Sequence, residues 1–234
     1  MPVTLHVWRV PRHRIGSAML RVAFRRTPPG VRFAKFLGTG DGFTPRDADL
    51  TRWAALTVSD APVSYPGWDR LATARATVDL SVLHSRGTWS GRQPFATPTR
   101  REPTPADQRD KTSERDKTGG MVLALTRARL RPTRALTFWR AIPAVGRELA
   151  GAPGLLARFG IGEAPIGWQG TVSVWRDAAY LTRFAYRQPE HRAVIARTPA
   201  DRWYAEELFA RFAVRGISGD RSVLGWLEEG QTTV

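Results

Sequence analysis

Two stretches of this chain resemble each other closely enough to suggest an internal repeat, and a repeat limits the possible folds more than any single motif. Residues 33–40 (FAKFLGTG) parallel residues 156–163 (LARFGIGE), and each glycine-containing turn precedes a predicted strand. Those strands are residues 53–60 (WAALTVSD) and 168–175 (WQGTVSVW). The chain is therefore predicted to contain two copies of one unit.

Each copy has the same predicted order of elements. A strand and a helix precede each turn, beginning at Thr4 and at Met121, and a helical segment and a last strand follow. The order strand, helix, strand, strand, helix, strand is that of the ferredoxin-like unit, an antiparallel sheet with helices on one face. Because the other face of each sheet would be bare, we expect an α+β fold in which the two halves pack as a dimeric α-β barrel within one chain.

The two halves are separated by a segment that cannot pack into a core. Residues 96–120 contain no Val, Ile, Leu, Met or aromatic residue and consist of Pro, Thr, Gly, Ala and charged or polar residues. We interpret 96–120 as a polar linker or mobile loop between an N-terminal half, 1–95, and a C-terminal half, 121–234.

Composition narrows the chemistry. The absence of cysteine excludes disulfides, thiolate nucleophiles and iron-sulfur clusters. The net charge of +15 would suit nucleic acid, but the arginines are spread along the chain and no nucleic-acid motif accompanies them, which argues against that partner. Attraction to an anionic membrane surface stays open. No apolar run approaches about 18 residues, so the cytoplasm is the expected compartment.

The C-terminal half is predicted to contain three helices. Thr133 can cap a helix that is kinked by Pro143 and ends at residues 151–154. Pro189 opens a short helix on which His191 and Ile195 share a face. A capping box at 198–201 predicts a third helix through residues 203–212, on which the charged side chains form surface i, i+4 pairs.

Seven pieces of the sequence together resemble the spheroidene monooxygenase family. They run in order over nearly the whole chain outside the linker. The pieces are residues 33–43, residues 87–91 with Pro94-Phe95, residues 124–128, Phe138-Trp139 with residues 143–145, residues 160–163 with Pro165, residues 173–175, and His191 with Trp203-Tyr204 and residues 206–212.

The resemblance implies a haem b protein that oxidises an apolar, carotenoid-like substrate with dioxygen and a ferredoxin-like electron donor. It implies that His191 is the axial ligand of the haem iron, so that the C-terminal half carries the haem, and that no catalytic side chain is needed beyond the haem. Arg127 and Arg140 are the predicted partners of the haem propionates. The predicted apolar lining consists of Phe138, Trp139, Phe159 and Trp203, and Phe36 is a further candidate for it.

The remaining histidines are weaker candidates for an iron ligand. His13 lies between Arg12 and Arg14 and is predicted to be solvated. His6 and His84 fall on predicted strands and are expected to be buried strand residues, with His84 as the second candidate ligand.

Several functions remain open at this stage. The same haem site could serve another metabolite, for example in aldoxime dehydration, or a carrier or sensor that does not turn over substrate. A haem-free member of the fold could instead bind an anionic surface through its arginines. Self-association is a further open possibility.

Overall fold

The computed structural model describes residues 2–24, 27–42, 47–95, 119–131, 133, 146, 148–163, 168–187 and 204–226. The first half supplies four strands, β1 (Val3–Arg9), β2 (Val31–Gly40), β3 (Ala48–Ser59) and β4 (Ala74–Gly87). The second half supplies β5 (Val122–Leu130), β6 (Leu155–Gly162), β7 (Trp168–Trp175) and β8 (Tyr204–Gly219). Together these strands close into one antiparallel barrel in the order β1-β3-β2-β6-β7-β5-β8-β4.

Each half has the same arrangement, and the predicted fold class is confirmed. The first half reads β4-β1-β3-β2 around the barrel and the second reads β8-β5-β7-β6, which is the ferredoxin-like order in both cases. The helices are α1 (Ile15–Ala23), α2 (Pro66–Asp69) and α3 (Ala178–Arg187), and residues 148–150 are also helical. None of the helices in these ranges is long and apolar enough to span a membrane.

Two seams of different length join the halves. Strands β2 and β6 pair over a short stretch, from Gly38 with Gly162 to Gly40 with Gly160. Strands β4 and β8 pair over a long one, from Ala76 with Gly219 to Gly87 with Leu208. The barrel is therefore closed by a single chain.

Apolar side chains fill the inside of the barrel. Every second residue of the strands points inward, as the two-residue period of a strand requires. This interior core includes Leu5, Leu56, Val78, Leu125, Val172, Leu208 and Phe212, with Trp89, Phe95, Val223 and Leu224 from outside the strands.

Two further clusters lie between the barrel wall and the helices. The first cluster is rich in aromatic residues and lies beneath α1 and α2; it includes Trp8, Phe36, Trp53, Tyr65 and Trp68. The second involves α3, where Leu181 and Phe184 pack with Val122 and Trp175.

The predicted helix over residues 203–212 is wrong where it can be checked, because Tyr204–Gly219 is strand β8. Leu208, Ala210 and Phe212 are buried at a spacing of two, which is the period of a strand packed on a core. The charged residues of this segment are spaced in a way that suits a helix as well as a strand. The segment forms a strand because it pairs with both β4 and β5. The other two predicted helices fall largely outside the described residues, as does 96–118 of the predicted linker.

The residue-by-residue alignment of the repeat also needs correction. Matching residues 33–40 to 156–163 equates Phe36 with Phe159. In the structure Phe36 belongs to the aromatic cluster outside the barrel, whereas Phe159 belongs to the interior core. The copies are thus one residue out of phase with that alignment, because a one-residue shift exchanges the two faces of a strand.

Candidate functional site

A network of buried and half-buried charges lies inside the barrel, at the end where β4 and β6 finish and β8 begins. Arg127 of β5 donates hydrogen bonds to Glu206 and to Glu163, the latter with an Nη2–Oε1 distance of 3.2 Å. Lys35 of β2 donates to Glu163, with an Nζ–Oε2 distance of 2.9 Å. The Arg127 side chain is only 3% exposed, so its charge depends on these carboxylates for compensation.

The turn after β4 adds an aromatic ring to this network. Trp89 is fully buried, and its indole N–H donates to Glu163. The Arg127 guanidinium lies 5.5 Å from the centre of the Trp89 ring, a cation–π distance. Gly87 makes the turn possible, because its φ is 88° and a Cβ there would collide with the Glu207 carbonyl oxygen.

Glu206 is held by the same turn. Its Oε1 accepts hydrogen bonds from the Thr88 hydroxyl at 3.0 Å and from the Gly91 backbone N–H at 2.7 Å. Burial by itself would raise the pKa of Glu206, but the hydrogen bonds from Gly91, Arg127 and Thr88 favour the charged form and lower the pKa to about 2. Glu206 is consequently ionised at neutral pH.

The network borders a small recess lined by Leu37, Trp89, Arg127, Ile161, Glu163 and Gly170. It has essentially no enclosed space for a molecule as large as water, whereas ligand pockets typically offer roughly 300–1,000 Å³. Gly170 lies opposite Arg127 in the β5–β7 pair, and a Cβ at Gly170 would collide with the Thr126 carbonyl oxygen. The recess fits a role in holding the strand ends together better than a role in binding a large cofactor.

Five separate pieces of the sequence meet in this network, each contributing one polar side chain. All five pieces were among those that carried the family resemblance, and their contributions are Lys35, Trp89, Arg127, Glu163 and Glu206. Only Arg127 was singled out from the sequence, and Glu206 was assigned to the surface. That assignment is wrong, since Glu206 belongs to the inward-facing set of β8 with Leu208 and Ala210.

The outward faces of the two sheets differ markedly. In the first half, three outward side chains of β1 and β2 are large and buried, namely His6, Trp8 and Phe36. When the inward-facing Leu5 of β1 and Leu125 of β5 are taken as equivalent, the strand register aligns Thr126 with His6, Ala128 with Trp8 and Gly160 with Phe36.

Accessibility follows this difference in size. Thr126 is exposed, and its outward-facing neighbours Thr171 and Phe209 are partly exposed. The first half fills its helix-facing layer with its own aromatic side chains, whereas the second half, next to its cluster around Trp175, leaves Thr126 exposed and Thr171 and Phe209 partly exposed. We call the surface formed by Ala124, Thr126, Thr171, Phe209 and Arg211 the open face.

His6 belongs to the filled side, and its predicted burial is confirmed at 8% exposure. Its ring stacks on Trp8 with the centroids 5.5 Å apart and meets Tyr65 edge-on at 5.1 Å. Burial lowers the pKa of His6 to about 4, because the apolar surroundings disfavour the imidazolium. His6 is therefore neutral at pH 7.

The other two described histidines are exposed. This confirms the prediction for His13 and contradicts the one for His84. A bulge between Val82 and His84 shifts the register of β4, and His84 pairs with Arg211 instead of continuing the buried face. His84 thus lies beside the open face.

The structure separates the two predicted cofactor residues that it describes from the helix-facing layer. Phe159 is 1% exposed in the interior core, with the Arg52 guanidinium 5.4 Å from its ring centre. Arg127 is in the buried network. The remaining predicted site residues, which are Phe138, Trp139, Arg140, His191 and Trp203, lie outside the described residues. Among the residues that are described, no group of three or more His and carboxylate side chains is arranged to hold a metal ion.

Comparison with known proteins gives a consistent set of relatives. No protein-family model matches the chain. A spheroidene monooxygenase of Rhodobacter capsulatus is 32% identical over 203 residues, which cover 82% of this chain and 78% of that protein. A spheroidene monooxygenase of Rubrivivax gelatinosus is 31% identical over 202 residues, covering 82% of this chain and 72% of that protein.

Among solved structures, a crystal structure of aldoxime dehydratase resembles the chain with a TM-score of 0.56. The two are 11% identical, and the match covers 91% of this chain and 80% of the other. At that identity the likeness concerns the fold alone.

Proposed function

The chain belongs to the spheroidene monooxygenase family, and from this membership we propose that it is a haem-dependent monooxygenase acting on an apolar, carotenoid-like substrate. It would take dioxygen and electrons from an external, ferredoxin-like donor. Bound haem would supply the activation of dioxygen. The protein would supply an axial ligand, an apolar surface and a binding site for the substrate.

The open face is the observation that carries the cofactor part of this proposal. A haem needs an unfilled surface, and a layer already packed with side chains at protein density has no room for one. The first half has such a packed layer around His6, Trp8 and Phe36. The second half has an exposed Thr126 and a partly exposed Thr171 at the centre of the equivalent surface, so the proposed haem site is on this side.

The proposed axial ligand is His191. In the sequence it lies between α3 and β8, and both of these elements border the open face. Leu181 and Phe184 of α3 pack with Trp175 of the adjacent strand β7, while β8 contributes Phe209. Neutral imidazole is an ordinary axial ligand for haem iron. The described alternative is His84, which is exposed at the edge of the same surface.

The partner of the haem propionates also has to be reconsidered. Arg127 already donates to two carboxylates inside the barrel, and a propionate would have to compete with both. Arg140 remains a proposed partner. Arg211, partly exposed opposite Ala124, is a further cation on the open face itself.

The test of the cofactor is an absorption spectrum of the protein expressed with a haem supply, recorded in ferric, ferrous and carbon-monoxide-bound forms. His191→Ala and His84→Ala are measured beside the unaltered protein. We expect one haem per chain with a histidine-type spectrum, lost in His191→Ala and retained in His84→Ala. Loss of bound haem in His84→Ala but not in His191→Ala would identify His84 of β4 as the axial ligand. Absence of haem after reconstitution would overturn the cofactor proposal.

The test of the reaction is turnover of spheroidene with a ferredoxin, its reductase and isotopically labelled dioxygen. Incorporation of the label into the carotenoid is the expected result, detected by mass spectrometry. A protein that binds haem through His191 but incorporates no label into any carotenoid offered would instead be a haem carrier or sensor.

A further inference from the structure

Helix α1 presents large apolar side chains to solvent. Four large hydrophobic side chains are exposed among the described residues, and three of them are on or next to this helix. Met19 is 53% exposed, Leu20 59% and Phe24 78%. Single exposed apolar residues are ordinary on protein surfaces, but a contiguous group marks a surface that another apolar phase covers.

The pattern around the helix explains why these side chains are exposed. Ala18 and Val22 are the buried residues that hold α1 against the barrel. A surface helix of a water-soluble protein has a polar outer side. Here only Ser17 and Arg21 are polar among residues 15–24, so the apolar arc continues from the buried side across most of the exposed one.

The charged side chains of this helix and of the residues just before it are all basic. Arg12 precedes the helix and is exposed, and Arg21 is exposed within it. No Asp or Glu occurs in residues 1–40, so no acidic side chain of that segment offsets these cations. Arg14 donates to the Arg70 carbonyl oxygen, with an Nη1–O distance of 2.7 Å, which fixes the start of the helix to the body of the protein.

We propose that α1, through Met19, Leu20 and Phe24 with the flanking cations, docks on an anionic lipid bilayer. Apolar side chains flanked by arginines match the boundary between acyl chains and negatively charged headgroups. A second copy of the chain fits this surface less well, because its own basic residues would face those of the first copy and repel them. This surface is separate from the open face and does not depend on the proposed reaction.

The proposal is tested by co-sedimentation of the full-length protein with vesicles. One set contains phosphatidylcholine alone, and the other contains phosphatidylcholine with phosphatidylglycerol. The test variant combines Leu20→Ser with Phe24→Ser. The matched control is Leu50→Ser, since Leu50 is 52% exposed but lies on β3.

We expect the unaltered protein to bind the anionic vesicles, to bind them less at high salt, and to bind neutral vesicles more weakly. The double variant should bind at least about tenfold more weakly, because each removed side chain takes away insertion into the acyl region. Leu50→Ser should bind as the unaltered protein does. Circular dichroism and thermal melting of the variants should match it too, because the substituted side chains are exposed.

Two results would overturn the proposal. Equal binding of the double variant and the unaltered protein would show that α1 does not contact the vesicle. Absence of binding to anionic vesicles would show that the surface does not dock on lipid. Size-exclusion chromatography over a range of protein concentrations tests the main alternative, which is that a second copy of the chain covers this surface. Self-association that disappears in the double variant, without vesicle binding, would assign the surface to a second copy.

Discussion

Arg127 donates a hydrogen bond to Glu206, although 79 residues separate them in the sequence. Both side chains point into the barrel from neighbouring strands, and their contact ties β5 to the first residues of β8. Glu163 shares the same guanidinium and brings in the end of β6. The segment that contains His191 therefore leads into a strand whose start is fixed by a partly buried ion pair.

Replacing Glu206 should destabilise the protein. Glu206→Gln keeps the size of the side chain but leaves the Arg127 charge with less compensation, and we expect a loss of about 1–3 kcal/mol in the free energy of unfolding. Denaturant unfolding followed by circular dichroism measures the effect. Glu207→Gln is the matched control: the neighbouring residue points to the other side of β8, and its change should be about 0.5 kcal/mol or less. Equal losses in both variants would contradict the prediction.

The same carboxylate should make stability depend on acid. Since the pKa of Glu206 is lowered from 4.5 to about 2 in the folded protein, the unfolded chain takes up a proton first as pH falls. The stabilisation is present above pH 4.5 and is lost between about pH 4.5 and 2. The difference in unfolding free energy between the unaltered protein and Glu206→Gln should therefore shrink over that interval. A constant difference would show that ionisation of Glu206 is not what matters.

His6 should give a second acid dependence at higher pH. Its pKa is lowered from 6.5 to about 4 by burial, so the folded protein keeps it neutral while the unfolded chain protonates it. Stability from this source is complete above pH 6.5 and falls as pH drops toward 4, by up to about 3 kcal/mol.

In His6→Phe the aromatic contacts with Trp8 and Tyr65 can remain while the titrating group is gone. Unfolding free energies measured at several pH values should show a shallower decline in His6→Phe than in the unaltered protein between pH 6.5 and 4. The slope carries the test, because the substitution can alter packing equally at all pH values. Equal slopes of unfolding free energy against pH in the two proteins would show that His6 does not cause the acid dependence.

Filling the open face should block haem. Thr126→Trp places a large ring at the centre of that surface, and because Thr126 is exposed, the unfolding free energy should change by only about 1 kcal/mol. Haem per chain, measured by absorbance after reconstitution, should drop well below that of the unaltered protein. Ser218→Trp, at the exposed far end of β8, should leave it unchanged. Full haem loading of Thr126→Trp would place the cofactor elsewhere.

The order of elements could be predicted from the sequence because strands and turns leave local signals. Alternation in β5 is visible in a short window, whereas Gly38, Gly40, Gly160 and Gly162, which were predicted to lie in turns, belong to β2 and β6. The strand at residues 204–212 was missed because Glu207 and Arg211 are spaced for a helix as well as for one face of a strand. Only its partners β4 and β5 distinguish the two, and those contacts are remote in the sequence.

The candidate site was predictable only in part for the same reason. Arg127 could be selected because it lies in one of the pieces that resemble the family, but its partners Glu163 and Glu206 are brought to it by barrel closure. The open face could not be seen either, since it appears only when Thr126 is compared with His6 in the correct register. A one-residue error in aligning the two copies exchanges inside and outside.

Joining the two halves covalently has a consequence for how they can diverge. In a barrel assembled from two identical subunits, every substitution appears twice, and a surface emptied in one subunit is emptied in the other. Here the seams between β2 and β6 and between β4 and β8 lie within one polypeptide. The two copies in such a chain can therefore diverge. One copy can keep a fully packed layer beneath its helices, while the other can leave that layer open for a ligand.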